Sequence, residues 1–261
     1  MKFSKINLIY YSPTGTGKKT LEAVAKGIGI MEARRINLTK PFIGSFKVSA
    51  HELAVFTVPV YGGRIPPVAA DRLRRVSGKG TPAVLIVIYG NRAYDDTLIE
   101  LKDITTEQGF KSVAGAAFIG EHSFSTELTP IALGRPDKED LAKAERFGAE
   151  VEAKLEALTY PVEIAVPGNK PYKARGPSTS RSPETIVESC TLCGTCAEAC
   201  PTGSITVSDK VETVVETCTG CSACVKVCPT SARVWTNEGI KNAAVWLNKN
   251  CSAHREPEFF L

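Results

Sequence analysis

The placement of its cysteines is the feature that most constrains this chain. All nine lie after residue 189 of a chain of 261 residues. Eight of them form two runs of one pattern, C-x2-C-x2-C-x3-C-P, in which the second run repeats the first 28 residues later: Cys190, Cys193, Cys196, Cys200 and Pro201, then Cys218, Cys221, Cys224, Cys228 and Pro229. Thiol chemistry is therefore confined to one small module, whereas an extracellular disulfide scaffold would staple the whole fold.

This spacing is typical of the thiolate ligands of two [4Fe–4S] clusters. Three cysteines of each run lie on one tight loop, and the fourth is expected to begin a helix that leads to the other cluster. The predicted ligands are therefore Cys190, Cys193, Cys196 and Cys228 for cluster one, and Cys218, Cys221, Cys224 and Cys200 for cluster two. Zinc is the competing interpretation, but a structural zinc site needs two CxxC pairs and does not require a C-x2-C-x2-C-x3-C-P run. Cys251 stands apart, and we expect a buried or idle thiol, with a regulatory or third-site role as the alternative.

Before the cysteines, apolar β-prone runs alternate with amphipathic stretches. Two of the runs, 53–60 and 82–89, are continuously apolar, as expected of parallel strands covered on both faces. The predicted strands are 6–12, 32–38, 53–60, 82–89 and 112–119, and the predicted helices are 17–28, 66–76, 94–109 and 137–157. This order predicts an α/β fold with an open, doubly wound parallel sheet, of the flavodoxin-like or Rossmann kind.

Changes in composition suggest four segments. They are an α/β domain over 1–160, a linker over 161–182, the cysteine module over 183–238, and a C-terminal helix and tail over 239–261. The cysteine module holds seven carboxylates and three bases, whereas the chain as a whole carries a net charge of +4. The linker contains Lys170, Lys173, Arg175 and Arg181 among Pro, Gly, Ser and Thr. A nucleic-acid patch is the alternative there, but a solvated linker is predicted, with no nucleic-acid partner.

The chain shows no sign of a membrane span or a targeting segment. No stretch approaches about 18 uninterrupted apolar residues, and Met1–Lys5 runs directly into a predicted strand without an apolar leader. Its apolar and charged fractions, 43% and 23%, are ordinary and argue against disordered and fibrous classes. A cytoplasmic protein is expected.

The first predicted strand leads into Ser12-Pro13-Thr14-Gly15-Thr16-Gly17-Lys18, at the start of a helix. Hydroxyls and free amides at a helix N-terminus suit a phosphate, which the helix dipole also favours. A nucleotide-hydrolysing P-loop would need Gly at 12 and Ser or Thr at 19, but the chain has Ser12 and Lys19. The loop predicts a phosphate site, with an ordinary capped turn as the alternative.

Two later loops, 59–66 and 89–96, follow central strands, where doubly wound folds bind their ligands. Each combines glycines, which allow backbone to approach a ligand, with an aromatic ring that could stack on a planar group. Beside a phosphate loop, this combination predicts a mononucleotide with a flat head, such as FMN. Residues 120–125 are expected to border the same cleft, where His122 could tune the ring or relay a proton; a loop histidine near solvent is the alternative.

On these motifs, residues 6–157 resemble a flavodoxin, and residues 183–236 resemble a bacterial two-cluster ferredoxin. Together they are similar to the flavodoxin–ferredoxin fusion proteins of anaerobes, a resemblance that extends to the tail over 255–260. It implies a flavodoxin-like doubly wound sheet followed by a C-terminal α+β two-cluster ferredoxin domain. The FMN-binding residues that it implies are Ser12, Thr14, Gly15, Thr16 and the Gly17 amide for the phosphate, and Tyr61, Gly62, Gly63, Asn91 and Tyr94 for the ring. Gly17 replaces the last Thr of the usual loop pattern, which is expected to weaken FMN retention.

The expected function is electron transfer between the two [4Fe–4S] clusters and FMN, and onward to redox protein partners that act as donor and acceptor. Attraction between the acidic module and the basic N-terminal domain is expected to favour their docking. No catalytic residue is assigned. The alternatives are an FMN-dependent reductase of a small molecule, fed through the clusters, and a redox-sensing interaction protein.

Overall fold

The computed structural model describes residues 1–176 and 181–261. Its N-terminal part contains, in chain order, β1 Lys5–Tyr10, α1 Thr16–Ile28, β2 Glu32–Asn37, β3 Phe46–Lys47, β4 Leu53–Pro59, α2 Pro67–Leu73, β5 Val76–Ser77, β6 Thr81–Tyr89, α3 Thr97–Glu107, β7 Phe110–Ile119 and α4 Lys138–Ala157. The remainder contains β8 Glu184–Thr185, α5 Thr195–Ala199, β9 Ile205–Val207, β10 Val211–Thr213, α6 Ala223–Lys226, β11 Arg233–Val234, α7 Glu238–Asn250 and β12 Glu258–Phe260. No helix within these described ranges has both the length and the apolar character needed to span a membrane.

The main sheet has the strand order β12-β7-β6-β4-β1-β2. All its neighbours pair in parallel except β12, which runs antiparallel to β7 at the edge. When β12 and the separate β3–β5 pair are left aside, the five remaining strands can be numbered 1 to 5 in chain order. Their order across the sheet is then 2-1-3-4-5, which is the flavodoxin-like form of the doubly wound fold. Each predicted strand and helix of this part has its counterpart, so the predicted fold class is confirmed.

Side chains alternate between two apolar cores, one on each face of the sheet. In β6, Val84 and Ile86 face the core under α1 and α4, whereas Leu85 and Val87 face the core under α2 and α3. The helices α1 and α4 pack backbone to backbone, since a Cβ on Gly148 would lie 2.1 Å from the Val24 carbonyl oxygen. Helices on both faces leave the strand ends free for a site.

The cysteine module repeats its local structure as it repeats its sequence. A 3₁₀ turn precedes each cysteine loop, and a residue with positive φ, Gly194 or Ser222, caps each short helix. The prediction that the fourth cysteine begins a helix is wrong, because Cys200 directly follows α5. Cys200 has a ψ of 120°, and the proline that follows it disfavours helical backbone at this position.

The segment predicted as a solvated linker lies on the α/β domain up to residue 176. The Ile164 amide donates to the Ser112 carbonyl at 2.9 Å, and Asp96 accepts from the amides of Asn169 (2.8 Å) and Lys173 (2.6 Å). Three of the four bases that suggested a nucleic-acid patch pair with acids of the domain: Lys170 with Asp103, Lys173 with Asp95 and Arg175 with Glu100. These partners are some 70 residues away in sequence, so composition did not reveal them. Residues 177–180 of the predicted linker lie outside the described residues.

The C-terminal residues return to the α/β domain. We name residues 251–260 the C-terminal strap. It follows α7 and ends in β12, whose Phe259 packs on Phe118 and Phe147 with ring centroids 5.6 and 4.8 Å apart. The tail predicted over 239–261 therefore contributes a strand to the main sheet. Through it the cysteine module is attached to the α/β domain at both of its ends.

Candidate functional site

Two cavities of the cysteine module are each lined by four cysteines. The outer cysteine cavity is lined by Cys190, Cys193, Cys196 and Cys228. The inner cysteine cavity is lined by Cys200, Cys218, Cys221 and Cys224. These are the crossed sets that the repeat predicts, and none of the nine cysteines forms a disulfide. Within the described residues, no three His, Cys, Asp or Glu side chains converge as a site for one metal ion would require. Four free thiols around each cavity fit the ligands of an iron–sulfur cluster.

Burial and hydrogen bonding act in opposite directions on these thiols. Burial raises the pKa of Cys221 to about 11 and also raises the pKa of Cys224. Burial opposes ionisation of Cys200 as well, but hydrogen bonds from Thr202 and Ser204 leave its pKa below the usual value. Because only a thiolate is a good ligand, the buried cysteines need compensating positive charge, from iron or from the protein.

A third cavity lies at the carboxyl ends of β1, β4, β6 and β7, and we name it the strand-end cavity. Its lining comes from the loop after β1, the ends of β4 and β6, the loop after β7 and the cysteine module: Tyr11, Ser12, Pro13, Thr14, Thr16, Gly17, Pro59, Val60, Tyr61, Ile88, Tyr89, Gly90, Gly120, Glu121, His122, Ser123 and Cys221. The expectation that residues 120–125 border this cleft therefore holds for 120–123. Tyr11 and Cys221 were not predicted, and Tyr89 was predicted only as part of the loop 89–96.

The loop after β1 presents hydroxyls at the start of α1. Gly15 caps the helix with φ 83°, and the Thr14 and Thr16 hydroxyl oxygens are 3.3 Å apart. The Ser12 hydroxyl accepts a hydrogen bond from the Lys18 amide at 3.1 Å. A Cβ on Gly17 would lie 3.3 Å from the Ser12 hydroxyl oxygen, so the Thr of the usual pattern would be crowded here. Hydroxyls and helix amides without an acidic residue in the first turn fit a phosphate group.

Among the residues predicted to hold the ring, some line the strand-end cavity and others do not. Tyr61 lines the strand-end cavity. Gly62 and Gly63 have positive φ but lie outside the lining, and Gly63 packs so closely on Asp95 that a Cβ there would clash with its carboxylate. Glycine at position 63 therefore serves the contact between the two loops.

Asn91 and Tyr94 differ from their predicted positions. The Asn91 amide donates to the carbonyls of Cys251 (2.6 Å) and Ala253 (2.9 Å), and the Tyr94 hydroxyl donates to Glu258 at 2.8 Å. Neither side chain lines the strand-end cavity, because both bind the C-terminal strap. The ring contacts predicted for these two side chains are replaced by contacts to the strap, a partner more than 150 residues away in sequence.

Tyr11, Tyr61 and Cys221 adjoin one another where the strand-end and inner cysteine cavities meet. Burial raises the pKa of both tyrosines, and the negative charge of a Cys221 thiolate would raise each further. Cys221 lines both cavities. Tyr11 could have been predicted, because it directly precedes the phosphate loop. Cys221 could not, because no sequence pattern links it to the sheet.

His122 presents a neutral imidazole to the strand-end cavity. Its Nδ1 accepts a hydrogen bond from the Phe124 amide at 3.0 Å, so the proton of the neutral ring belongs on Nε2. Burial lowers the pKa of His122 to about 4, and the charges of Arg92 and Lys226 act in the same direction. At neutral pH, His122 is therefore a hydrogen-bond donor without charge.

Because folding lowers the pKa of His122, the imidazole takes up a proton in the unfolded chain but not in the folded protein between pH 6.5 and about 4. The free energy of unfolding therefore decreases as the pH falls through this range. At pH 5 the loss is about 2 kcal/mol relative to pH 7.5. We expect the difference in thermal midpoint between the wild type and His122→Gln to be about 4–8 °C less favourable to the wild type at pH 5 than at pH 7.5. Thermal unfolding followed by circular dichroism measures this difference, and an advantage that is equal at both pH values would contradict it.

Comparisons with known proteins address the two parts separately. The family described as a 4Fe–4S dicluster domain matches residues 189–232. No curated protein matches the chain in sequence. Among solved structures, flavodoxin 1 of Bacillus cereus aligns with 18% identity over 60% of this chain and 100% of its own, with a TM-score of 0.41. Flavodoxin 2 of the same organism aligns with 15% identity over 57% and 99%, with a TM-score of 0.42. A flavodoxin from the domain Archaea aligns with 14% identity over 58% and 99%, with a TM-score of 0.38.

Similarities at this level carry no argument of their own, and the assignment of the sheet rests on its strand order. That order is flavodoxin-like, and the strand-end cavity has hydroxyls at the start of a helix that fit a phosphate group. The dicluster match covers the repeat that contains all eight patterned cysteines. The chain thus combines, in one polypeptide, a domain with the flavodoxin-like strand order and a segment that matches the 4Fe–4S dicluster domain family.

Proposed function

We propose that this protein passes electrons between two [4Fe–4S] clusters and one FMN and exchanges them with redox protein partners. Iron–sulfur clusters carry single electrons, whereas flavin carries one or two and can couple them to protons. The observation that supports this proposal is the position of Cys221, which lines both the inner cysteine cavity and the strand-end cavity. A cluster held by this cysteine would adjoin the cofactor cavity directly.

The residues of the chain have distinct roles in this proposal. The outer set, Cys190, Cys193, Cys196 and Cys228, holds cluster one, and the inner set, Cys200, Cys218, Cys221 and Cys224, holds cluster two. The hydroxyls of Ser12, Thr14 and Thr16, with the first amides of α1, bind the FMN phosphate. Tyr61 and His122 face the ring, the first as a stacking partner and the second as a neutral donor.

Specific contacts hold the cysteine module against the cavity. Lys226 pairs with Glu121 and donates to the Ser125 carbonyl at 3.1 Å. The rings of Phe124 and Trp235 pack edge to face, 5.7 Å apart, and Arg72 donates to the Pro201 carbonyl at 2.8 Å. The sequence predicts attraction between an acidic module and a basic domain. The observed ion pair has the opposite arrangement, because its base, Lys226, belongs to the module and its acid, Glu121, belongs to the α/β domain. Local packing and hydrogen bonds therefore fix the junction.

External partners are proposed to dock at the outer cysteine cavity. Cys193 in its lining is exposed, whereas Cys221 in the inner cavity is buried. Electrons would then enter or leave at cluster one, and cluster two would connect it with FMN.

Anaerobic preparation tests this function. About eight iron atoms per chain are expected, with matching sulfide and up to one FMN. Pulse radiolysis that delivers less than one electron per chain should then show a redistribution between cluster and flavin absorbance whose rate is independent of protein concentration. Zinc in place of iron would contradict the proposal, as would a flavin that gains electrons only at a rate proportional to protein concentration. Saturable turnover of a small-molecule acceptor would instead favour a reductase.

A further inference from the structure

Arg233, in β11, is a buried cation without a carboxylate partner among the described residues. Its exposed fraction is 3%, and it takes part in none of the ion pairs found there. Nη1 donates to the Thr185 hydroxyl at 2.7 Å, and Nη2 donates to the Thr213 hydroxyl at 3.1 Å. Nη2 also lies 3.9 Å from the Cys224 sulfur, and Nε has no hydrogen-bond partner in the described part of the chain.

A guanidinium in this position needs a counterion. Removing a charge from water costs several kcal/mol unless an opposite charge compensates it, and hydroxyl groups supply none. Arginine does not escape this cost by losing its proton. The charge of Arg233 must therefore be balanced by a group that is not among the ion pairs of the described residues.

Cysteine thiolates are the groups in a position to balance it. Arg233 lines the inner and the outer cysteine cavities, so this residue lies between the two sets of four cysteines. Its Nη2 lies 3.9 Å from the sulfur of Cys224, one of the four cysteines of the inner cavity. One cationic residue thus adjoins both cavities.

We propose that Arg233 is an internal counterion shared by the two clusters and that it raises their reduction potentials. This inference rests on the proposed function, because it requires clusters in both cavities. Each reduction step adds a negative charge to a cluster, and a fixed positive charge in a medium of low dielectric constant stabilises the reduced state more than the oxidised state. A surface cation has little such effect, since water screens it.

The test compares variants that separate the charge of Arg233 from its hydrogen bonds. Arg233→Gln removes the charge, and Arg233→Lys keeps the charge but removes the planar guanidinium group. The double variant Thr185→Ala/Thr213→Ala keeps the charge and removes both hydroxyl groups to which the guanidinium donates. Lys210→Met is the matched control, because Lys210 is an exposed cation of the same module, paired with Glu212. Anaerobic potentiometric titration followed by electron paramagnetic resonance gives the cluster potentials, and iron analysis and thermal unfolding accompany it.

In Arg233→Gln, the ratio of reduced to oxidised cluster at a fixed potential should fall at least tenfold, a shift of about 59 mV for a one-electron couple. The lysine variant, the double threonine variant and Lys210→Met should stay within threefold of the wild type, although the first two should be less stable. If Arg233→Gln does not retain iron, the lysine and double threonine variants decide the question.

Unchanged potentials in an iron-replete Arg233→Gln protein would overturn the proposal and leave the proposed function standing. A shift in the double threonine variant as large as that expected for Arg233→Gln would also overturn it, because the hydrogen bonds and not the charge would then set the potential. Loss of iron from Arg233→Lys would overturn it too. A wild-type protein without iron would instead contradict the proposed function itself.

Discussion

Replacing Cys221 by alanine is expected to lower the iron content from about eight to about four atoms per chain and to abolish rapid intramolecular electron transfer to FMN. The reason is geometric. Cys221 is the one cysteine that lines both the strand-end cavity and the inner cysteine cavity within the described structure. Without it, the proposed cluster two would lose the ligand that adjoins the cofactor cavity. Cluster one would keep all four of its ligands, but no cluster would then lie next to the proposed FMN.

Pulse radiolysis measures this effect through the redistribution phase whose rate does not depend on protein concentration. That phase should disappear in Cys221→Ala. It should persist in Cys193→Ala, which removes a ligand of cluster one and leaves the inner set complete. Cys251→Ala is the matched control, because Cys251 lines neither cysteine cavity and its substitution should leave both iron and kinetics unchanged. Loss of the rapid phase in Cys193→Ala together with its survival in Cys221→Ala would reverse the proposed order of the clusters.

The sequence predicts those parts of the structure that depend on local patterns. The apolar run at 82–89 has no polar face, so it belongs in the middle of a covered sheet, where β6 lies. The crossed cysteine sets follow from the C-x2-C-x2-C-x3-C-P run, whose fourth cysteine is typically a ligand of the other cluster, and each cysteine cavity is lined by one of these sets. The phosphate loop is recognisable because its hydroxyls immediately precede a helix.

The remainder depends on contacts between distant segments. Asn91 resembles a ring-binding loop residue, but its amide is used by carbonyls of the C-terminal strap. The strand β12 consists of three residues, Glu258–Phe260, too short to show a periodicity. Arg233 resembles any arginine of a short strand, and only the arrangement of both cysteine loops shows that it is buried between them. No single-sequence pattern encodes such proximity.

Deleting the C-terminal strap and Leu261 is expected to lower the thermal midpoint by more than 10 °C and to weaken FMN binding. The deletion removes the pairing of β12 with β7 and the packing of Phe259 on Phe118 and Phe147. It also leaves Asn91, the start of the loop after β6, without the carbonyls to which its amide donates. Because that loop adjoins Tyr89 and Gly90 in the strand-end cavity, its loosening should raise the dissociation constant for FMN.

A point substitution separates packing from the loss of the whole segment. Phe259 is partly buried, so Phe259→Ala should cost about 2 kcal/mol, below the range for a fully buried phenylalanine. The thermal midpoint should then fall by about 4–8 °C. Leu261→Ala, at the half-exposed neighbouring end of the chain, should change it by less than about 2 °C. Circular dichroism and flavin fluorescence measure stability and FMN binding in the same samples. A deletion that left both the thermal midpoint and FMN binding unchanged would show that the strap does not hold the loop after β6. The contacts of Asn91 and Tyr94 with the strap would then have no consequence for the cofactor.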